Sequence, residues 1–290
     1  MSQNTQSTKR TISEVSTEAP QAKKPKAQTG PHMPYEFDEN DGDNVTIVMD
    51  KSHDGELLPQ GKIKGEETSK YAAQWNTPCL TLKFGDTKVG GDTGKFGKDE
   101  TNYKYNLKTV VGLPDKVAKY LPNEEGRQVA FEKWRNDVAV KLLTKAFETK
   151  GCMEKETKKA TKLATKNGTT GLSEFIKAAN LSFEKTCEDP DGDEHAMFCA
   201  ARRGQYKNEN GELVDNRMVF WRRTVDGYVK ADVKYVASGS VVKYQVSFRI
   251  YKMPGNYGVS CDLGKNVILV KEESSSNFKS GAPELPYMDF

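Results

Sequence analysis

Apolar and polar positions follow two different patterns along this chain, and the change between them predicts its elements. In residues 45–49, 78–84 and 103–111, short apolar or alternating runs of strand length stand between turn-forming residues. From Pro114 the apolar residues recur every three to five positions, which is the spacing of amphipathic helices. Beyond residue 188 the strand pattern returns. The sequence therefore predicts strands, then a helical insert over about 114–187, then strands again.

Three helices are predicted within the insert. The first carries an apolar stripe made of Phe131, Trp134, Val138, Leu142 and Phe147. The second spans about 154–166 and ends at Asn167-Gly168, a pair that favours the end of a helix. The third is predicted over 172–187 from the same apolar spacing.

Five strands are predicted after the insert, at 195–203, 218–225, 228–236, 241–253 and 257–270. In the fourth of them, alternation places five apolar side chains on one face, namely Val242, Tyr244, Val246, Phe248 and Ile250. Lys243, Arg249 and Tyr251 lie on the opposite face. The predicted fold class is α+β and mainly β, an antiparallel barrel or meander with helices packed at one side.

The composition of the ends predicts one folded domain between two disordered segments. Residues 1–34 contain no aromatic residue and are rich in Ser, Thr, Gln, Pro and Lys, so residues 1–40 are predicted to form a disordered arm. The run Lys23–Lys26 is either a nuclear import signal or part of a solvated basic arm. Residues 41–271 are predicted to form the domain, and 272–290 a flexible tail that ends in Phe290.

Charge is segregated along the chain, although the formal net charge is only +3. Residues 31–70 hold ten acidic residues and four lysines, whereas residues 201–252 hold eleven Lys and Arg against five acidic residues. There is no apolar run of the roughly 18 residues that a transmembrane helix needs. Five scattered cysteines favour a reducing compartment over a disulfide framework. A soluble intracellular protein that does not bind membranes is predicted.

The motifs that could carry catalysis or metal binding each lack an essential part. The glycine loop around Gly90 and Lys95 has three residues where a phosphate-binding P-loop has four, and Phe96 stands in place of Ser or Thr. The acidic run 189–194 has Glu194 where a calcium loop needs glycine. His195 and Cys199 have no second pair of zinc ligands nearby in the sequence. We therefore predict a binding protein rather than an enzyme, with no metal and no cofactor.

Basic and aromatic residues are interleaved in the predicted β region, a combination that suits nucleic acid. The stretch Phe220-Trp221-Arg222-Arg223 joins both chemistries, since cations contact phosphates and aromatic faces stack on bases. The predicted nucleic-acid-binding residues are Trp75, Lys83, Tyr103, Tyr105, Arg202, Arg203, Tyr206, Trp221, Arg223, Lys243, Arg249, Tyr251 and Lys252. For each aromatic residue, packing in the core is the alternative.

The C-terminal stretch resembles a known family. Ser238-Gly-Ser-Val-Val, Phe248-Arg-Ile-Tyr and Tyr257-Gly-Val-Ser, followed by Leu263-Gly264 and a terminal Asp289-Phe290, are similar to the single-stranded DNA-binding proteins of phages and large nucleocytoplasmic DNA viruses. The resemblance implies an OB-like barrel and sequence-independent binding of single-stranded DNA in viral replication, recombination and repair. It further implies a tail that gates the groove and recruits a polymerase or helicase.

The same resemblance assigns the partner-binding role of the tail to Glu284, Tyr287, Asp289 and Phe290. It implies a location in the host cytoplasm (a viral factory), in the nucleus or within the virion. Two alternatives stay open from the sequence: an RNA-binding nucleoprotein, and a virion or scaffold protein whose β region binds other proteins. The oligomeric state also stays open, with a homo-oligomer as one alternative.

Overall fold

The computed structural model describes residues 37–51, 55–69, 71–83, 87–88, 104–188, 191–208, 210–224, 227–231 and 235–273. The basic run Lys23–Lys26, Tyr103 and the tail residues Glu284, Tyr287, Asp289 and Phe290 lie outside these ranges, as do most of the predicted arm and tail. None of the described helices combines the length and the apolar character that crossing a bilayer requires.

The elements follow the predicted order of strands, helices and strands. A 3-10 turn at Asp41–Asn44 precedes six strands, β1 Val45–Lys51, β2 Leu57–Ile63, β3 Trp75–Asn76, β4 Leu80–Leu82, β5 Thr87–Lys88 and β6 Lys104–Val110. The four helices are α1 Asp115–Ala118, α2 Glu124–Glu148, α3 Glu154–Asn167 and α4 Gly171–Ala178. The remaining strands are β7 Asn180–Leu181, β8 Glu184–Glu188, β9 Glu194–Arg203, β10 Gln205–Lys207, β11 Leu213–Asp215, β12 Val219–Thr224, β13 Gly227–Lys230, β14 Tyr235–Val236, β15 Val241–Met253 and β16 Asn256–Lys271.

Five strands close into a barrel. Their order is β15-β4-β6-β9-β16, and pairing between β15 and β16 completes the circle. Numbered along the chain, these five run 1-2-3-5-4-1 around the barrel, the Greek-key order of an OB fold. Most pairs are antiparallel as predicted, but β9 and β16 run parallel through Asp262 and Ala201. The fold is an OB-like α+β barrel, extended by β2 and β1 beyond β15 and by β12 and β13 beyond β16.

The helical insert lies between the second and third barrel strands. Its long helix α2 turns the predicted stripe inward, and Phe131, Trp134, Val138 and Leu142 are all buried. Trp134 meets Trp75 edge-on, with ring centroids 5.2 Å apart, so the helix and the first part of the chain share one core. The insert therefore covers the barrel rather than forming a separate domain.

The third predicted helix is too long. Helix α4 ends at Ala178, and residues 180–188 form β7 against β16 and β8 against β9. Phe183, which the helical spacing assigned to a helix face, is fully buried in the barrel core beside Phe198 and Phe248. A buried aromatic residue satisfies either pattern, and pairing with two existing strands decides for the strand.

The boundaries of the predicted domain also shift at both ends. Phe37, inside the predicted arm, is buried and packs on Phe131 at 5.3 Å between ring centroids. Glu272, inside the predicted tail, forms an ion pair with Arg222, and Glu273 forms one with Lys116 at 2.7 Å. Packed structure therefore reaches at least from residue 37 to residue 273.

Candidate nucleic-acid interface

The second and third barrel strands present a polar outer surface. Alternation along β6 and β9 sends Leu107, Thr109, Phe198 and Ala200 into the barrel, where all four are buried. The intervening residues face outward, and the ladder pairs Lys108 with Cys199 and Asn106 with Ala201. Among OB folds, the outer face of strands 2 and 3 is the usual site of oligonucleotide binding.

Lysines from three strands or strand ends converge on this surface. The backbone N–H of Lys83, just beyond β4, donates to the carbonyl oxygen of Lys108 at 2.9 Å. Lys185 of β8 pairs with Met197 of β9. Burial raises the pKa of the Cys199 thiol, while the charges of Lys185, Lys108 and Lys83 act in the opposite direction. Backbone pairing places the three lysines on neighbouring segments around Cys199.

We call this surface the barrel face and define it by Lys83, Asn106, Lys108, Lys185, Cys199, Ala201 and Arg203. Of its four cations, none forms an ion pair with a carboxylate in the part of the chain that the structure describes. Other basic residues of the protein are paired, as Arg249 is with Asp262 at 2.5 Å and Lys252 with Glu56 at 2.8 Å. Unpaired cations on one surface favour an external anion as their partner.

A second group of residues lies where β12 and β13 extend the sheet. The strand register aligns Lys243 of β15, Ile268 of β16, Trp221 of β12 and Lys230 of β13 across four neighbouring strands. The half-buried indole of Trp221 donates from Nε1 to Oδ1 of Asn266 at 3.0 Å. We call the four aligned residues the tryptophan patch. An aromatic ring fixed at its edge between two lysine positions suits stacking on a base beside phosphates.

Several predicted residues lie in or beside these two surfaces. Lys83 and Arg203 belong to the barrel face, and Lys243 and Trp221 to the tryptophan patch. Arg223 is exposed two residues further along β12, opposite Tyr228. Tyr206 is 47% exposed on the β10–β11 hairpin that follows β9. Tyr105 pairs with Arg202 in the β6–β9 ladder, and its position alternates with the outward row of Asn106 and Lys108 rather than belonging to it.

Two predicted residues are engaged within the fold, and one of them is fully buried. Trp75 is fully buried against Trp134 and Gly61, so it offers no face to a base. Arg202 donates from Nε to the carbonyl oxygen of Asn216 at 2.6 Å and from Nη1 to that of Leu263 at 3.0 Å. Its guanidinium ties the hairpin to β16, and burial lowers its pKa. Burial therefore excludes Trp75 from stacking on a base, and Arg202 is held by contacts within the protein.

Three further predicted residues lie on the far part of β15 and are engaged within the protein. Arg249 and Lys252 form the ion pairs given above. The hydroxyl oxygen of Tyr251 accepts a hydrogen bond from Nδ2 of Asn180 at 3.0 Å. The strand register does not join Tyr251 and Lys252 to the barrel face, whereas Asp262, the ion-pair partner of Arg249, pairs with Ala201 at the edge of that face.

Sequence reasoning missed Lys108 and Lys185, which the structure places at the centre of the barrel face. The alternation of polar and apolar residues over 104–110 could have identified Lys108, because it places Lys108 on the same face as Asn106. Lys185 gave no such signal because its segment was predicted to be helical. Within the described residues, no group of three or more His, Cys, Asp or Glu side chains is arranged to hold a metal ion.

Comparison with solved structures finds phage proteins. Gp2.5, a single-stranded DNA-binding protein encoded by bacteriophage T7, aligns with 74% of this chain and 99% of its own at 16% identity and a TM-score of 0.40. The single-stranded DNA-binding protein of bacteriophage Enc34 aligns with 81% and 96% at 9% identity and a TM-score of 0.36. The same protein in complex with single-stranded DNA aligns with 80% and 99% at 10% identity and a TM-score of 0.37. Neither family models nor curated proteins give a match.

Proposed function

We propose that this chain is a sequence-independent single-stranded DNA-binding protein without enzymatic activity. The observation that carries the proposal is the barrel face, where Lys108 and Arg203 of strands 2 and 3 of an OB-like barrel lie beside Lys83 at the end of strand 1 and Lys185 of β8. These cations have no carboxylate partner among the described residues. That surface is the one on which OB folds bind oligonucleotides.

Phosphate is the anion that best fits the barrel face. Lys83, Lys108, Lys185 and Arg203 come from four separate segments, so a ligand must span the surface to reach them all. A nucleic-acid backbone does so and releases a condensed counterion at each phosphate that a cation neutralises. Apart from Asn106, the outward positions between the cations are Cys199 and Ala201, which offer little for reading base edges. Binding is therefore expected to depend weakly on sequence.

The aromatic residues of the tryptophan patch and of the β10–β11 hairpin favour a single strand over a duplex as the ligand. Trp221 and Tyr206 offer ring surface to solvent, and an unstacked base gains roughly 1–3 kcal/mol by stacking on such a ring. The bases of a duplex are already stacked on one another and cannot use it.

The proposed cellular role and the proposed role of the tail rest on the similarity of residues 238–264 and of the terminal Asp289-Phe290 to single-stranded DNA-binding proteins of phages and large DNA viruses. We propose that the protein acts in viral DNA replication, recombination and repair. We also propose that its tail occupies the barrel face until DNA displaces it. The displaced tail then recruits a polymerase or helicase. A tethered tail has a high effective concentration, so weak contacts are sufficient for such gating.

Fluorescence anisotropy with labelled oligo-dT, a matched duplex and a matched ribose oligomer, each titrated at several salt concentrations, tests the proposal. We expect oligo-dT to bind most tightly, with a logarithm of affinity that falls linearly as the logarithm of salt concentration rises. Tighter binding of the ribose oligomer would favour the RNA-binding alternative. Absence of binding to all three would overturn the proposal and favour a protein-interaction role.

A further inference from the structure

Helix α3 carries a row of lysines that do not belong to the barrel face. Five lysines lie on its solvent-exposed side, at spacings of three, one, three and four residues: Lys155, Lys158, Lys159, Lys162 and Lys166. At 3.6 residues per turn these positions fall along one stripe, about 16 Å long. Ala160 and Ala164 mark the opposite, buried side. We call the five lysines the lysine ridge.

The charge of α3 is unusual within this protein. Its five lysines stand against two acidic residues, Glu154 and Glu156, a net charge as large as that of the whole chain. The longer helix α2 carries five basic and five acidic residues. Like charges four residues apart destabilise a helix by a few tenths of a kcal/mol per pair. The ridge contains three such pairs, 155/159, 158/162 and 162/166.

Little within the protein offsets this repulsion. Lys158 lies 3.4 Å from a carboxylate oxygen of Glu154, and both side chains are well exposed. The other four lysines form no ion pair with any residue that the structure describes. Glu156 points elsewhere, toward Lys252 at 4.0 Å. An external polyanion would relieve the repulsion along the whole ridge.

The lysine ridge lies near the barrel through the β15–β16 turn. Lys155 and Lys159 line a groove whose other wall includes Gly255, Asn256 and Tyr257. From Tyr257, β16 runs five residues to Asp262, which pairs with Ala201 of the barrel face. Five residues of strand span about 17 Å. A nucleic acid bound to the barrel face therefore has to extend by about 17 Å along β16 to reach the groove beside α3.

We propose that the lysine ridge binds the phosphate backbone of duplex DNA, and that the preferred ligand is a junction between single-stranded and duplex DNA. This inference rests on the proposed function, because it requires that the barrel face hold the single strand. Helix α3 has no aromatic residue, so it offers no stacking surface to unpaired bases. A duplex carries one charge per about 1.7 Å of its axis, which supplies phosphates along the full length of the ridge.

A variant of the full chain tests the ridge directly. Lys155, Lys159, Lys162 and Lys166 are each replaced by Gln, whose helix propensity is close to that of Lys, and Lys158 is left with its partner Glu154. The control variant replaces four exposed lysines elsewhere, Lys51, Lys64, Lys119 and Lys133, by Gln. Both variants lose the same net charge. Far-ultraviolet circular dichroism and thermal melting establish that both are folded.

The probes are oligo-dT of about 15 nucleotides, within the site size of an OB fold, and the same oligomer extending from a duplex of two helical turns, with either strand polarity. We expect wild type to bind at least one tailed duplex tenfold or more tightly than oligo-dT alone. The ridge variant should lose that gain and keep its affinity for oligo-dT. Its affinity for the tailed duplex should also depend less on salt, with a slope of log affinity against log salt concentration that is lower by about 3–4, because each lost phosphate contact removes about 0.9. The control variant should behave as wild type does.

The two proposals fail in different ways. If wild type does not bind oligo-dT, the proposed function is wrong. If wild type binds oligo-dT but gains nothing from the duplex, or if the ridge variant keeps the gain, the lysine ridge is not a duplex site. Equal losses in the ridge and control variants would mean that net charge alone is responsible, which would also overturn the inference.

Discussion

Lys108 stands directly opposite Cys199 in the β6–β9 ladder, on the outer side of the barrel. Lys185 lies on the strand that pairs with β9, and Lys83 donates its backbone N–H to the carbonyl oxygen of Lys108. This pair therefore marks the centre of the barrel face. It also provides a chemical probe, because Cys199 is half-buried while the other four cysteines are buried.

Replacing both Lys108 and Lys185 by Gln should weaken binding to oligo-dT at every sequence tested. Loss of two phosphate contacts should lower the salt slope by about 1.4, at 0.7 per contact for a single strand. Anisotropy titrations over a range of salt concentrations measure both effects. The matched control, Lys64→Gln with Lys133→Gln, should leave the slope unchanged. An unaltered slope in the Lys108 and Lys185 variant would remove these residues from the site.

Saturating oligo-dT should protect Cys199 from alkylation by at least several-fold, because the strand covers the barrel face. Only the thiolate reacts, and burial raises the pKa of Cys199 above its ordinary value. The thiolate fraction at neutral pH is therefore small, and the labelling rate should rise as the pH approaches the pKa from below. Mass spectrometry after timed labelling measures the rate at this residue. Cys199→Ser, which should lack the fastest labelling phase, is the control, and equal rates with and without DNA would contradict the assignment.

Oligo-dT should quench the tryptophan fluorescence, and Trp221 should account for the change. The chain has three tryptophans, and Trp75 and Trp134 are 0% and 3% exposed. Trp221→Phe should abolish most of the quenching. Trp221→Ala should weaken binding about tenfold, or ~1.4 kcal/mol, with little effect on the melting temperature. A large fall in melting temperature with unchanged affinity would instead assign Trp221 to packing.

Gly258→Ala should destabilise the protein by roughly 1–3 kcal/mol or more. A Cβ atom at Gly258 would overlap the backbone of Asn180, and backbone atoms cannot move aside as a flexible side chain can. The contact joins β7 to β16, where the chain leaves the insert and returns to the barrel. Urea denaturation measures the change in free energy of unfolding. Gly42→Ala is the matched control, since a Cβ atom there would meet no other atom within 4 Å, and it should stay within about 0.5 kcal/mol of wild type.

Deleting residues 284–290 should tighten binding to oligo-dT, because the truncated protein would no longer place its own tail on the barrel face. The same anisotropy titration measures the effect. A deletion that leaves the affinity unchanged or lowers it would exclude gating by the tail.

The order of elements is determined by local pattern, and the sequence alone was sufficient for it. Strands before residue 111, helices from Pro114 and strands after residue 188 follow from periods of 3.6 and 2, which depend on neighbours within a few residues. The position of the insert and the inward stripe of α2 were predicted for the same reason. Segment 180–188 was not, because its pairing with β9 and β16 brings together residues far apart in the chain.

Which residues form the candidate site depended on tertiary structure much more than the order of elements did. The sequence identified basic and aromatic residues in the β region, and a period of two shows which of them share a face. It does not show which strands become neighbours or which face turns outward. Packing of α2 buried Trp75, two backbone carbonyl oxygens hold Arg202, and strand pairing brought Lys83, Lys108 and Lys185 from distant segments to one surface. Those outcomes are set by long-range packing, which local spacing does not encode.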